Sequence, residues 1–192
     1  MFQLWIKSCN SYILDLKKKQ DVSVLQTNGS GVLSFASSGG KFESALLHVR
    51  DEKASGTAGG SATSGSYQTR TLNTSVTNEI SGASLSSNQI TLPTGTYFVN
   101  GFVSSFYVDK HKSKLRNTTD STDTLIGQVV RSDSTFYSGG ASIIIGRFTI
   151  ASTKVFEIQT RVQTTRNTDG YGEAPSFGDA EVYIDVQIWK VA

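Results

Sequence analysis

Apolar and polar residues alternate with a period of two along most of the chain, most cleanly in its last strand candidate. In "EVYIDVQIWKV", Val182, Ile184, Val186 and Ile188 point one way, while Tyr183, Asp185, Gln187 and Trp189 point the other. "KVFEIQTRVQ" likewise sets Phe156, Ile158 and Val162 against Glu157, Gln159, Arg161 and Gln163. "ALLHVRD", "YQTRTLNTSVT", "SLSSNQITLP", "TYFVNGFVSSFYV", "KSKLRNT", "LIGQVVRS" and "SIIIGRFTI" are the other strand candidates. They recur every ~10–15 residues with turn residues between them, and no helical period intervenes after Phe42. This pattern predicts an all-β antiparallel sandwich.

One strand breaks the usual rule of one greasy side. In "LPTGTYFVNGFVSSF", Pro93 fixes the turn and Gly95 supplies the flexible position after it. Tyr97, Val99 and Val103 then line one face, with Phe98, Phe102 and Phe106 on the other. A strand apolar on both faces is covered twice. The second cover is either a sister subunit or a long loop of the same chain. On the subunit reading, Tyr97, Phe98, Phe102, Phe106, Tyr183 and Trp189 form the candidate interface between protomers.

The first forty residues differ in texture. Phe2, Trp5, Ile6, Cys9, Tyr12, Ile13 and Leu16 recur at spacings of three and four, which predicts a helix of about four turns. It is read either as a docking helix or as a frayed leader, since isolated helices of this length are marginal. Val22 to Leu25 and Val32 to Phe35 flank Asn28-Gly29-Ser30-Gly31, which suggests a small hairpin or a stalk segment. A boundary is expected near Gly39-Gly40, giving an attachment and stalk region, 1–40, and a strand-rich domain, 41–192.

Composition narrows the class further. Ser and Thr number 48 of 192 residues, yet 10 Phe and 7 Tyr accompany them, so the chain has the means to build a core. Formal net charge is +2 with acids and bases interspersed, so no nucleic-acid partner is expected. Cys9 is alone, which excludes an intrachain disulfide and any cysteine-based metal site. No apolar run reaches the ~18 residues of a membrane-spanning helix, and the N-terminus does not read as a signal peptide, because its lysines follow the apolar residues.

Catalytic chemistry has little to stand on. His48 lies in a strand and His111 in the charged "VDKHKSK", read as a solvated turn. No nucleophile elbow, phosphate loop or zinc signature occurs. Asp120 and Asp123, and Asp169, Glu173 and Asp179, are read as loop acids in place of a glycosidase pair, with an oxygen-ligand cation site in the second loop left open. The chain is therefore expected to be non-enzymatic and to need no cofactor. If strands alternate in direction from Tyr97 onward, 108–112, 132–140 and 164–179 share one end. Asp133, Phe136, Tyr137, Arg166, Asn167, Asp169 and Tyr171 then form a candidate binding surface, since aromatics beside Asn, Asp and Arg can stack on a sugar and bond its hydroxyls.

Two stretches resemble known proteins. "VLQTNGSGVLSF" looks like the short repeat in the stalks of bacteriophage tail-fibre proteins. "GTYFVNGFVS", "SGGASIIIGRFTIASTKVFEIQ" and "SFGDAEVYIDVQIWKV" follow the order of the C1q/tumour-necrosis-factor-like jelly roll, across roughly 92–191, departing from it where Trp189 and Lys190 end the last strand. The chain is thus similar to a phage tail-fibre or head-fibre tip. That resemblance implies a jelly-roll knob, a homotrimer with its aromatic face about the threefold axis, a location in the virion, and attachment to other virion proteins through the N-terminal segment. It also implies a receptor on the host surface, a glycan or a protein. A capsid decoration protein and a secreted lectin-like C1q module are the alternatives.

Overall fold

The computed structural model describes residues 23–27, 33–37, 45–133, 135–136 and 138–191, the first two segments by their backbone alone. Thirteen strands occur among them. They are β1 (Ser23–Thr27), β2 (Leu33–Ser37), β3 (Ala45–Lys53), β4 (Gln68–Thr69), β5 (Thr74–Asn78), β6 (Ser84–Ser86) and β7 (Gln89–Leu92). β8 (Gly95–Phe106), β9 (Asp109–Asn117), β10 (Thr122–Ser132), β11 (Gly139–Ile150), β12 (Lys154–Val162) and β13 (Glu181–Lys190) complete the series. The chain divides into two units, Met1–Glu43 and Ser44–Ala192. In the first, β1 and β2 pair antiparallel from Ser23↔Ser37 to Thr27↔Leu33. The helix expected over 2–16 lies outside the described residues.

In the second unit, five strands form one sheet in the order β11-β8-β13-β3-β5. A second sheet runs β10-β9-β12-β7-β6, with β4 pairing β12 beyond the end of β7. All these pairings are antiparallel, and from β7 onward the chain crosses repeatedly between sheets. That connectivity is a jelly roll. β6 and β7 form a tight hairpin through Ser87 and Asn88, both at positive φ (50° and 66°), as the right-handed twist of a two-residue turn requires.

The core sits where alternation puts it. Leu47, Val49, Val99, Val103, Ile144, Ile184, Val186 and Ile188 from the five-stranded sheet meet Ile90, Leu92, Leu115, Phe156 and Ile158 from the other. Phe148 bridges the layers, its ring centroid 5.5 Å from Tyr97 and 5.4 Å from Phe156.

Towards the end remote from Ala45 the interior turns polar. Arg70 is 1% exposed; its Nη1 donates to Ser104 O (2.9 Å) and Thr160 Oγ1 (3.3 Å), and its guanidinium lies 3.7 Å from the Tyr171 ring centroid. Burial lowers its pKa to about 10. Asp51, also buried, is shifted up by desolvation, against the charges of Lys53 and Arg70. His111 is only 2% exposed, which corrects its reading as a solvated turn residue: the strand β9 starts at Asp109 and turns this side chain inward. Its Nδ1 lies 2.9 Å from Ser132 Oγ.

The long connection 54–67 closes that end. Gly59 N donates to Gly172 O (2.8 Å), and Ala62 and Arg166 exchange backbone hydrogen bonds (2.9 and 2.8 Å). A Cβ on Gly59 would stand 2.7 Å from the Tyr171 carbonyl carbon, so only glycine allows the two segments to meet. Gly59→Ala is expected to destabilise the domain by about 1–3 kcal/mol through overpacking, read as a lower urea midpoint.

His111 generates a pH prediction. Burial and the Arg70 charge push its pKa down to about 4, whereas an unfolded chain protonates near 6.5. The folded state therefore loses stability as pH falls from about 6.5 towards 4, by about 3 kcal/mol in full. Asp51 works in the opposite sense, since its raised pKa favours the folded state on acidification. Comparison with His111→Gln isolates the histidine: the wild-type urea midpoint should fall between pH 7 and 4.5 more steeply than the variant's, and equal slopes would contradict the assignment.

Candidate functional site

Strand β8 is hydrogen-bonded on both edges, to β11 and to β13, so its outward side chains lie on an interior strand of the five-stranded sheet. Register aligns them in rows across β11, β8, β13 and β3. The first row is Arg147, Phe98, Trp189 and Leu46; the second is Ile145, Asn100, Gln187 and His48; the third is Ile143, Phe102, Asp185 and Arg50. Phe98, Phe102 and Ile145 are 37%, 45% and 56% exposed, and the Phe98 and Trp189 ring centroids lie 5.9 Å apart. The one acid in these rows is internally satisfied. Asp185 lies 2.9 Å from His48 Nε2 and accepts from Arg50 Nε at 2.7 Å.

Three residues expected on this face are elsewhere. Tyr97 is fully buried between the sheets, and its hydroxyl donates to Pro93 O at 2.6 Å. Phe106 and Tyr183 are 8% and 5% exposed. For Tyr183 the reason begins with a β-bulge between Val182 and Ile184, which breaks the alternation. Val182, expected to face the core, is therefore 42% exposed and Tyr183 is buried. Loop closure then covers both Tyr183 and Phe106. Phe106 N donates to Gly170 O, and the Tyr183 hydroxyl donates to the Thr57 and Glu173 carbonyls (2.8 and 3.3 Å), so 54–60 and 170–173 fold across that end of the sheet. Burial pushes the Tyr183 phenol up to about 12. The accessible patch is thus Phe98, Phe102 and Trp189 from the expected set, together with Ile145.

The loop end gathers segments expected there, with 107–108, 163–180 and Asp133 and Ser138 of the β10–β11 loop side by side. Tyr107 N donates to Ser138 O (3.0 Å) and Thr164 N to Val108 O (3.0 Å). The connection after β8 is shorter than expected, because 109–112 already belong to β9. Loop 54–67, not anticipated there, packs among them. Many of the expected contact residues serve the loops themselves. Asp133 accepts from the backbone N–H groups of Thr135 (2.7 Å) and Phe136 (3.2 Å) and pairs with Arg131 at 2.9 Å. Those bonds, the one from Thr135 first, hold its carboxyl below the usual range. Arg166 grips Asp169 with two bonds (2.6 and 2.9 Å) and lies 4.7 Å from the Tyr107 ring centroid, and this pairing keeps Asp169 low in pKa.

Tyr171 is a correction. It is 8% exposed, covered by Arg70, with its hydroxyl donating to Gln68 Oε1 at 3.2 Å; a ligand cannot stack on it. Asn167 is exposed and Phe136 is 80% exposed. Tyr137 lies outside the described residues. Phe177, overlooked in the sequence, is 86% exposed in the same loop cluster; its position between Ser176 and Gly178 was the available signal. Among the described residues, no group of three or more His, Cys, Asp and Glu side chains is placed to hold a metal ion.

No protein-family model matches the sequence, and neither does any curated protein. Among solved structures, the chain is similar to murine APRIL at pH 5.0, with 12% identity and a TM-score of 0.48, over 77% of this chain and 99% of that one. It is also similar to the globular domain of zebrafish complement 1qA protein, with 10% identity and a TM-score of 0.47, over 76% of this chain and 94% of that one.

Proposed function

We propose that this protein is a homotrimeric binding module, and more finely a virion fibre tip whose free end engages a receptor on the host surface. One observation carries the reading: Phe98 and Phe102 stand exposed on an interior strand of a sheet, between Ile145 of the edge strand β11 and Trp189 of β13, where a lone soluble domain ordinarily places polar residues. Copies of the same chain are the simplest cover, because a symmetric assembly buries the same patch on every protomer. The number three comes from the fibre-tip and C1q-like resemblance of the sequence.

The two ends of the sandwich support a division of labour. Ala45 pairs with Lys190, so the domain's chain enters and leaves at one end, and the loops carrying Phe136, Asn167 and Phe177 occupy the other. Such a module attaches by one end and binds by the other, and three weak sites held together reach useful avidity. The N-terminal segment is the proposed link to other virion proteins, and binding, with no catalysis, is the proposed activity.

Light scattering of the purified chain is expected to give three protomers. Phe102→Glu should leave the strand signal in circular dichroism intact but weaken assembly by about 2 kcal/mol or more per interface, over tenfold in the dissociation constant. A wild-type monomer at tens of micromolar would refute the assembly. Immunogold labelling of phage particles tests the virion location, and gold on tail fibres, capsid or neither separates fibre tip, decoration protein and secreted module.

A further inference from the structure

The sequence "DKHKSKLRN" of β9 places Lys110, Lys112, Lys114 and Arg116 at alternate positions, and so all on the outer side of the six-stranded sheet. Two cations of this row share one carboxylate. Lys114 Nζ and Arg116 Nη1 lie 2.9 and 2.8 Å from Asp123 Oδ1, and Lys114 also sits 4.0 Å from the Tyr67 ring centroid. The side chains of Lys110 and Lys112 have no ion pair or hydrogen bond among the described residues. Arg161, directly opposite Lys112 on β12, has none either.

Facing like charges across a strand pair are destabilising, so Lys112 beside Arg161 is an arrangement that folding alone does not favour. The three cations line a groove of about 590 Å³, within the range of small-ligand sites. Tyr67 and Val129 also line it, Gln163 adds an amide, and none of its lining residues is acidic.

We infer that this groove is a binding site for an acidic saccharide. The Lys112–Arg161 pair, with Lys110 about 7 Å along the strand from Lys112, takes its carboxylate or sulfate groups. Tyr67 and Val129 offer apolar surface to a sugar ring, and Gln163 and Ser64 bond its hydroxyls. A nucleic-acid strand fits less well. Its backbone needs a continuous basic track, whereas here Asp123 occupies one end of the row and Asp133, paired with Arg131, lies at the other.

The inference names a ligand class for the proposed binding module and draws its biological sense from that reading. Its geometry is independent, because the groove lies on the opposite sheet from Phe98 and Phe102. Calorimetric titration of the full chain with a heparin-derived hexasaccharide, a neutral dextran hexamer and a six-residue oligothymidylate tests it. The expected result is saturable binding of the first alone, weakened by added salt and reduced at least tenfold by Lys112→Ala and by Arg161→Gln. Lys154→Ala, at the other end of the sandwich, should change nothing. Arg161→Gln should also melt no lower than wild type, since it relieves a repulsion. Equal binding of the dextran, binding of the oligothymidylate at least as tight, or indifference to both groove substitutions would overturn the site. Light scattering on the same samples separates the two ideas: saccharide binding by a monomer leaves the groove standing and removes the trimer.

Discussion

Strand β8 has to be apolar on two sides, and the rest of the molecule is arranged around that constraint. Its inner face, Tyr97, Val99 and Val103, closes the space between the sheets with Leu47, Ile144 and Ile188. Its outer face puts Phe98 and Phe102 on an interior strand flanked by β11 and β13. Fully burying a side chain as large as Phe yields on the order of 1.5–3 kcal/mol, so leaving two of them about two-fifths exposed forgoes a part of that stabilisation which a cover would recover. Asp185, which accepts from Arg50 and lies within hydrogen-bond reach of His48, shares the face and limits how partners can be seated against it, since stripping it of both contacts carries a large cost.

The two faces of the sandwich therefore differ in kind. One outer surface carries exposed aromatic and aliphatic side chains; the other carries an alternating row of cations, two of which share Asp123. On the proposed reading, an assembly buries the first and uses the second, or the loop end, for recognition. In such a particle the stable scaffold and the recognition surfaces do not compete for the same residues.

Much of the fold was legible because alternation is a local signal. The runs around Tyr97, Ile144, Phe156 and Val186 identify strands and the residues that face the core without any knowledge of their partners. The destination of the outward aromatics was not legible, because it depends on what lands on them. Tyr183 has the same alternation phase as Trp189 in the sequence, yet a β-bulge between Val182 and Ile184 breaks that phase, so Tyr183 is buried under 54–60 and Val182 is exposed. Tyr171 followed a glycine in a polar loop and read as a contact residue; its burial comes from Arg70, about a hundred positions earlier in the chain. His111 sat among lysines that suggested solvent, although period two turns it inward as surely as it turns the lysines out. Averaged charge hid the same row: +2 over the whole chain conceals three unpaired cations in one groove.

The claim on which the rest depends is that the outer face of β8 and β13 is covered in solution. Hydroxyl-radical footprinting of the full chain at micromolar concentration reads this directly, side chain by side chain. The account predicts that Phe98, Phe102 and Trp189 are protected far beyond their exposure in a single protomer, while Phe136 and Phe177 are oxidised freely. Oxidation of Phe98 and Phe102 in proportion to their single-protomer exposure would contradict it.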